Sequence, residues 1–267
     1  MLDVFRIPFL QTALAAGLIV GAVCAYLGVH VVLRRIVFVG AALAQVSSAG
    51  VGLALYIGSN PSITSLLLTM GGVAAFSIKS ASRRTTQESL IGVGYAIASA
   101  LAVLFLARSG QAEARMLDVL SGNVLTVTAA QVWLMAAVAA AAVAVHALLQ
   151  KQFLFSAFDA DTAKASGIRA QWWDLLFFLI LGVVISFSIR LAGTLLVFAF
   201  LVLPAVTALL LSRRFAEIYV VAVGASAIST IAGLMASYRF DLPTGPTIVA
   251  ASFVLLVVSW VVSRLRS

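Results

Sequence analysis

The sequence predicts an all-α membrane protein, a polytopic bundle of about nine transmembrane helices. Of its 267 residues, 63% are hydrophobic and only 10% are charged, and the mean hydropathy is +1.15. An ordinary soluble domain carries roughly 25% charged residues, and a soluble fold of this length cannot remove so much apolar surface from water. Apolar segments of spanning length also follow one another along the chain, separated by short polar breaks.

A span is predicted wherever about 20 consecutive residues are mostly apolar, because a helix of that length crosses a hydrocarbon core of about 30 Å. The segments that qualify are 9–33, 37–58, 61–79, 87–107, 127–149, 172–190, 192–211, 216–238 and 246–264. The sixth and seventh are divided only by residues 190–193. If these two form one long broken helix, eight spans result instead of nine.

The positive charges sort to one side of this arrangement. When the polar breaks alternate across the membrane, one side receives 12 of the 17 Lys and Arg residues. Cytoplasmic loops are enriched in Lys and Arg, so this side is predicted to be cytoplasmic, with the N-terminus outside and the C-terminus inside. The net charge of +8 therefore indicates orientation in the bilayer and not a nucleic-acid-binding surface.

Residue types that carry catalysis are scarce. His30 and His146 are the only histidines, both near the ends of predicted spans, and Cys24 is the only cysteine. The sequence has no Gly-rich phosphate-binding loop and no His, Cys, Asp or Glu cluster with metal-ligand spacing. We therefore expect neither an enzyme nor a bound metal or cofactor, and any ATP hydrolysis belongs to another chain.

The second span carries the densest polar group of the span interiors, which comprises Gln45, Ser47 and Ser48. One interpretation is hydrogen bonding between helices, for which membrane bundles use small polar residues. The other is a translocation path lined by weak oxygen ligands. A proton- or sodium-coupled carrier is disfavoured, because that class usually has inverted repeats and a membrane-embedded acid, and neither is evident.

The longest predicted cytoplasmic loop, residues 155–169, contains a second candidate site. Asp159 or Asp161 can cap a helix of about two turns, and Gly167 suits the position just after its end. Such a helix is either an incidental part of the loop or a docking element for a cytosolic partner. On the outer side, residues 116–126 are predicted to form a short interfacial or re-entrant helix.

Six short motifs then occur in the order in which one membrane-protein family carries them. They lie at residues 27–35, 88–92, 120–126, 158–168, 193–205 and 241–246. The first ends in Gly-x-x-x-Val-Leu-Arg-Arg, and the last reads Asp-Leu-Pro-Thr-Gly-Pro. On these motifs the chain resembles, over nearly its whole length, the permease subunits of bacterial zinc/manganese ABC importers, which are type II importers.

The resemblance implies one transmembrane permease domain over residues 1–267, in a bacterial inner membrane, for ATP-driven import of zinc or manganese ions. The implied partners are a second copy of the chain, an ABC ATPase subunit and an extracytoplasmic metal-binding protein. It also implies that the loop at 155–169 holds the helix that contacts the ATPase. The candidates for this contact are Phe158, Asp159, Asp161, Lys164, Gly167 and Ile168.

The chain departs from the family at one motif. Many members have Gly-Asp-x-x-x-His in the second span, where this chain has Gly40, Ala41 and Gln45. An amide is a poorer zinc ligand than an imidazole, so no metal site is carried over. Either the chain passes the ion with weak oxygen ligands, or its substrate is a different or a chelated metal. The more distantly similar importers of cobalamin and iron–siderophore complexes carry chelates. A non-transporting membrane scaffold subunit is the alternative from another class.

Overall fold

The computed structural model describes residues 8–77, 86–108, 127–158 and 170–266. All the regular elements in these ranges are α-helices, which confirms the predicted fold class. They are α1 (Pro8–Leu33), α2 (Val37–Ile57), α3 (Pro61–Ser77), α4 (Gln87–Arg108), α5 (Ala129–Leu148), α6 (Gln150–Phe158), α7 (Ala170–Leu211), α8 (Phe215–Phe240) and α9 (Thr244–Arg266). The predicted spans begin and end within about two residues of these helices, apart from the division inside α7, because apolar length determines both.

Seven of the described helices are long and apolar enough to cross a membrane. One of them, Trp172–Leu211 within α7, has 40 residues, about twice the length that a single span needs. The helix α3 is also apolar but has 17 residues. With α7 counted twice and α3 included, these helices correspond to the predicted spans.

The break predicted between the sixth and seventh spans lies inside α7. At Gly193 the backbone has φ 78° and ψ 165°, outside the helical region, and helix continues on both sides. Glycine reaches a positive φ without steric cost because it has no Cβ. The break therefore lies within the predicted division at residues 190–193, and α7 consists of two helical segments joined at Gly193.

The helix α6 was not predicted, because the sequence assigns its residues to a polar break and to the start of the loop at 155–169. Phe153, in the middle of α6, is fully buried. The Phe153 N–H donates to the Leu149 carbonyl at 3.1 Å, so only a short turn separates α5 from α6. The apolar run Phe153-Leu154-Phe155 after Lys151 and Gln152 was the available sign that this segment packs against the protein.

The chain forms two compact units. The first contains the described residues of Met1–Val32, Leu117–Ala139 and Ser188–Ser267, and α8 packs on α9 within it. The second contains those of Leu33–Met116 and Ala140–Phe187, and α2 packs on both α3 and α4 within it. The candidate path residues Gln45, Ser47 and Ser48 lie in the second unit.

Glycines allow close approach of helices inside each unit, as is common in membrane bundles. In the first unit, a Cβ added to Gly28 would collide with the Leu201 carbonyl oxygen. In the second, a Cβ on Gly50 of α2 would lie 2.5 Å from the Cα of Ser65 in α3, whereas a Cβ on Gly71 would meet nothing within 4 Å. The position of α2 against α3 is thus set by backbone contact.

Candidate functional site

The three predicted path residues lie in the middle of α2 with different environments. Ser47 and Ser48 are buried, with exposed fractions of 0% and 1%, and Gln45 is half-buried. The Ser48 Oγ donates to the Ala44 carbonyl one turn earlier at 3.0 Å. The Ser47 Oγ has no hydrogen-bond partner within the described residues. Of the two serines, Ser47 therefore has the hydroxyl whose donor and acceptor capacity is unused within the described residues, whereas Ser48 keeps only its acceptor lone pairs.

These three side chains do not share one face of α2. Each residue turns a helix by about 100°, so Gln45 and Ser47 point about 160° apart, while Ser48 lies about 60° from Gln45. Val46 and Gly50 both lie against α3, whereas Gly52, about 20° from Gln45 around the helix, lies against α4. Ser47 is therefore nearer the α3 side, and Gln45 is on the α4 side. Whether any of them contacts a transported ion stays a prediction.

The position of the family's acid and histidine is occupied by Ala41 and Gln45. Both side chains are half-buried, and they lie one turn apart on the same face of α2. Together they present a methyl group and an amide, which is a weak ligand set for a transition metal. Within the described ranges, no group of three or more His, Cys, Asp or Glu side chains is placed to hold a metal ion.

A second cluster, which we call the Arg34 cluster, was missed by the sequence. It consists of Arg34, Phe153, Asp174 and Phe177. Arg34 lies in the turn between α1 and α2, and its Nη1 donates to the Asp174 Oδ1 at 2.7 Å. Its Nη2 donates to the Phe153 carbonyl at 2.9 Å. The Arg34 side chain is only 6% exposed and that of Asp174 is 10% exposed.

The aromatic ring of Phe177 packs against this ion pair. The guanidinium carbon of Arg34 lies 4.6 Å from the centroid of the Phe177 ring, within the range of a cation–π interaction. Burial lowers the pKa of the Arg34 guanidinium below its ordinary value, while the negative charge of Asp174 and its hydrogen bond oppose this shift. An arginine stays protonated under such conditions, so the cluster contains a permanent buried positive charge.

Both histidines pack against aromatic side chains of their own unit. The His146 ring stacks on the Phe153 ring, with centroids 4.8 Å apart and an interplanar angle of 5°. The His30 Nδ1 lies 3.0 Å from the Tyr219 hydroxyl, in hydrogen-bonding distance. Both side chains are buried, and both contacts fit the packing role that their positions near span ends suggested.

One sequence feature pointed to the Arg34 cluster without identifying it. Asp174 is an acid near the start of the predicted span 172–190, and such residues are rare unless they are paired. This feature does not name the partner, because Arg34 and Asp174 are 140 residues apart in sequence. In the structure, Arg35 next to Arg34 has φ 57°, an uncommon backbone conformation for a residue other than glycine.

The predicted ATPase-contact residues are at the boundary of what the structure describes. Phe158 is the last residue of α6. Asp159, Asp161, Lys164, Gly167 and Ile168 lie outside the described residues, as does the helix predicted at 116–126. The helices that flank the loop, α6 and α7, are described, and both contribute to the Arg34 cluster.

Comparison with known proteins identifies the family. The model of the ABC 3 transport family matches residues 6–263. The chain belongs to the ABC 3 transport family. This family comprises permeases of metal ABC transporters, which confirms the resemblance on the six motifs.

Relatives in this family match along nearly their full lengths. The manganese transport system membrane protein MntC of Halalkalibacterium halodurans is 29% identical over 252 residues, 94% of this chain and 86% of the relative. The manganese import system permease protein ScaB of Streptococcus gordonii is 27% identical over 256 residues, 96% and 91% of the two chains. The solved structure of PsaBC from Streptococcus pneumoniae in complex with Fab has a TM-score of 0.86 at 25% identity, over 97% of this chain and 94% of that one.

Proposed function

We propose that this chain is the permease subunit of an ATP-driven importer that carries manganese or zinc ions across a bacterial inner membrane. The observation that carries the proposal is the family match over residues 6–263, together with relatives named for manganese transport. Two copies of the chain would form the translocation path. A separate ABC ATPase would supply the energy, and an extracytoplasmic metal-binding protein would deliver the ion.

In this proposal the path runs along α2. The candidate ligands are the amide of Gln45 and the buried hydroxyl of Ser47, and both are weak oxygen ligands. Transport requires an ion to leave its ligands as readily as it binds them, so weak ligands suit a path better than a storage site. Imidazole and carboxylate would hold manganese or zinc more tightly at the same point.

Coupling to the ATPase is assigned to the loop at 155–169, on the side where the Lys and Arg residues concentrate. ATP binding brings the two ATPase subunits together and moves the loops of both permeases. That movement shifts the dimer between outward-open and inward-open states, and the ion crosses as the populations change. This orientation puts the N-terminus outside and the C-terminus in the cytoplasm.

The test is uptake into proteoliposomes that contain this chain, its ATPase and its binding protein. Manganese, zinc and iron are supplied separately, with and without ATP. Gln45→Ala is compared with Val51→Ala, a half-buried residue of the same helix that points about 120° away from Gln45. We expect ATP-dependent uptake of manganese or zinc, reduced in Gln45→Ala and unchanged in Val51→Ala.

A gain-of-function variant sharpens the test. Ala41→Asp with Gln45→His restores a carboxylate and an imidazole one turn apart on α2. We expect this variant to retain the metal longer and to bind it roughly tenfold more tightly, because imidazole is a stronger ligand than an amide. Absence of free-ion uptake with intact ATP hydrolysis would contradict the proposal and favour a chelate substrate. Failure to assemble with any ATPase would favour the scaffold alternative.

A further inference from the structure

We infer that Arg34 is a positioning residue for coupling: it ties both helices that flank the proposed ATPase-contact loop to the turn between α1 and α2. The inference concerns the Arg34 cluster and not the loop itself. It rests on the proposed function in one respect, namely that the loop between α6 and α7 receives the movement of an ATPase.

The geometry places one side chain between the two ends of the loop. Phe153 belongs to α6, which leads into the loop, and Asp174 belongs to the first turns of α7, which leads out of it. One nitrogen of the Arg34 guanidinium binds each of them, at 2.9 Å and 2.7 Å. Arg34 therefore binds both the helix that leads into the loop and the helix that leads out of it.

These contacts resist separation because the charge is buried. The Arg34 side chain is 6% exposed, and moving Asp174 away would leave a guanidinium without its counter-charge in an apolar environment, which is strongly unfavourable. Phe153 and Phe177 are fully buried, and the Phe177 ring lies against the guanidinium. Displacement of α6 or α7 near the loop is therefore transmitted to Arg34.

The turn that carries Arg34 is short and leads directly into α2. Only residues 34–36 separate α1 from α2, and Arg35 has a left-handed backbone with φ 57°. Because the turn is so short, Arg34 and the first residue of α2 can move little relative to each other. The structure thus links the loop to the helix that carries Gln45 and Ser47 through contacts inside one compact unit.

The residue type is specific to this arrangement. A guanidinium presents two parallel donor groups and a flat surface, so it can bind a carboxylate, bind a carbonyl and lie against a ring at the same time. Lysine keeps the charge but has neither the fork nor the flat surface. Arg34→Lys therefore removes the tie and keeps the charge, and the exposed neighbour Arg35 supplies a control, Arg35→Gln.

The first measurement is the number of manganese ions taken up per ATP hydrolysed, in proteoliposomes with the ATPase and the binding protein. We expect Arg34→Lys and Asp174→Asn to lower this ratio roughly tenfold while ATP hydrolysis continues. Arg35→Gln should keep the wild-type ratio. A purely structural role would lower uptake and hydrolysis together, in proportion to the amount of assembled complex, and leave the ratio unchanged.

The second measurement does not depend on transport. Amide hydrogen exchange of the detergent-solubilised protein reports local opening of each helix. We expect Arg34→Lys to accelerate exchange in α6 and in the first turns of α7 together, with α9 unaffected. Arg35→Gln should reproduce the wild-type pattern.

The outcomes separate this inference from the proposed function. A lower ratio of manganese uptake to ATP hydrolysis, together with faster exchange in both flanking helices, supports the role of Arg34 in holding α6 and α7. A wild-type ratio in Arg34→Lys, or faster exchange in neither helix or in only one of them, overturns it. If wild-type protein takes up no manganese, zinc or iron, the proposed function fails by itself, and the exchange pattern still decides whether Arg34 holds the two helices.

Discussion

Arg34 and Ser47 are both buried polar side chains of the second compact unit, yet their surroundings differ. Arg34 has an ion pair with Asp174, a hydrogen bond to the Phe153 carbonyl and an aromatic ring at 4.6 Å. Ser47 is 0% exposed, and its hydroxyl has no partner within the described part of the chain. The guanidinium is thus held by several contacts, whereas the Ser47 hydroxyl is held by no hydrogen bond among the described residues.

The difference follows from the energy of burial. An unpaired charge in an apolar interior costs far more than an unpaired hydroxyl, which costs about 1–3 kcal/mol. A helix bundle can therefore keep an unpaired hydroxyl where a passing ligand uses it, but it cannot keep an unpaired guanidinium. The contacts of Arg34 fix its position, whereas the Ser47 hydroxyl on α2 keeps hydrogen-bonding capacity that the described residues do not use.

The largest expected effect comes from removing one member of the ion pair. Asp174→Ala leaves Arg34 buried without a counter-charge, so we expect a loss of about 3–5 kcal/mol in the free energy of unfolding. Thermal unfolding in detergent, followed by tryptophan fluorescence, measures this change. Trp173 lies 5.9 Å from Phe153, ring centroid to ring centroid, and therefore reports on the cluster itself.

Two controls accompany Asp174→Ala. Glu217→Ala removes an exposed pair with Arg214 at 3.7 Å and should change stability by no more than about 0.5 kcal/mol. The double variant Arg34→Met with Asp174→Leu replaces the pair with apolar groups and should be more stable than Asp174→Ala. A double variant that is no more stable than the single one would mean that the charge itself is not the cause of the loss.

The sequence was sufficient for the helices because their ends depend on apolar length. It also located the break at Gly193, where Arg190 interrupts the apolar run and glycine follows. It was not sufficient for the Arg34 cluster, since Arg34 is equally consistent with a cytoplasmic charge flanking a span. Only the packing of the Arg34 turn against α6 and the start of α7 directs this arginine inward, and that information lies in contacts between distant segments.

The sequence also identified the polar group on α2 but not how its members differ. Ser47 and Ser48 are adjacent and chemically identical, and only the structure shows that one hydroxyl binds the Ala44 carbonyl while the other does not. The helix α6 was missed for a similar reason. It is short and begins with the polar run Gln150-Lys151-Gln152, and burial of Phe153 depends on rings from α5 and α7.

A smaller effect is expected where α2 meets α3. Gly50→Ala forces a methyl group against the Ser65 backbone, and overpacking of this kind costs about 1–3 kcal/mol. Gly71→Ala is the matched control on α3, because a Cβ there meets nothing within 4 Å. We expect Gly71→Ala to be neutral or stabilising, since alanine favours helix more than glycine does. Equal unfolding temperatures for the two variants would show that α2 is not held by backbone contact.

The smallest expected effect on stability distinguishes the two serines of α2. Ser47→Ala removes an unpartnered buried hydroxyl, so we expect stability to stay unchanged or to rise by about 1 kcal/mol. Ser48→Ala loses a bond to the Ala44 carbonyl within the same helix, and because such back-bonds do not stabilise a helix we expect stability to change little. Thermal unfolding and ATP-dependent manganese uptake are measured on the same preparations of both variants.

Manganese uptake by the Ser47 and Ser48 variants then tests whether the difference between the two serines matters for transport. If the Ser47 hydroxyl is kept for a passing ion, Ser47→Ala slows uptake although the protein is no less stable, and Ser48→Ala changes uptake little. Ser47→Cys tests the same point with a ligand that manganese accepts less readily than an oxygen. Wild-type uptake in both Ser47 variants would remove this residue from the path and leave Gln45, on the opposite side of α2, as the candidate that faces the ion.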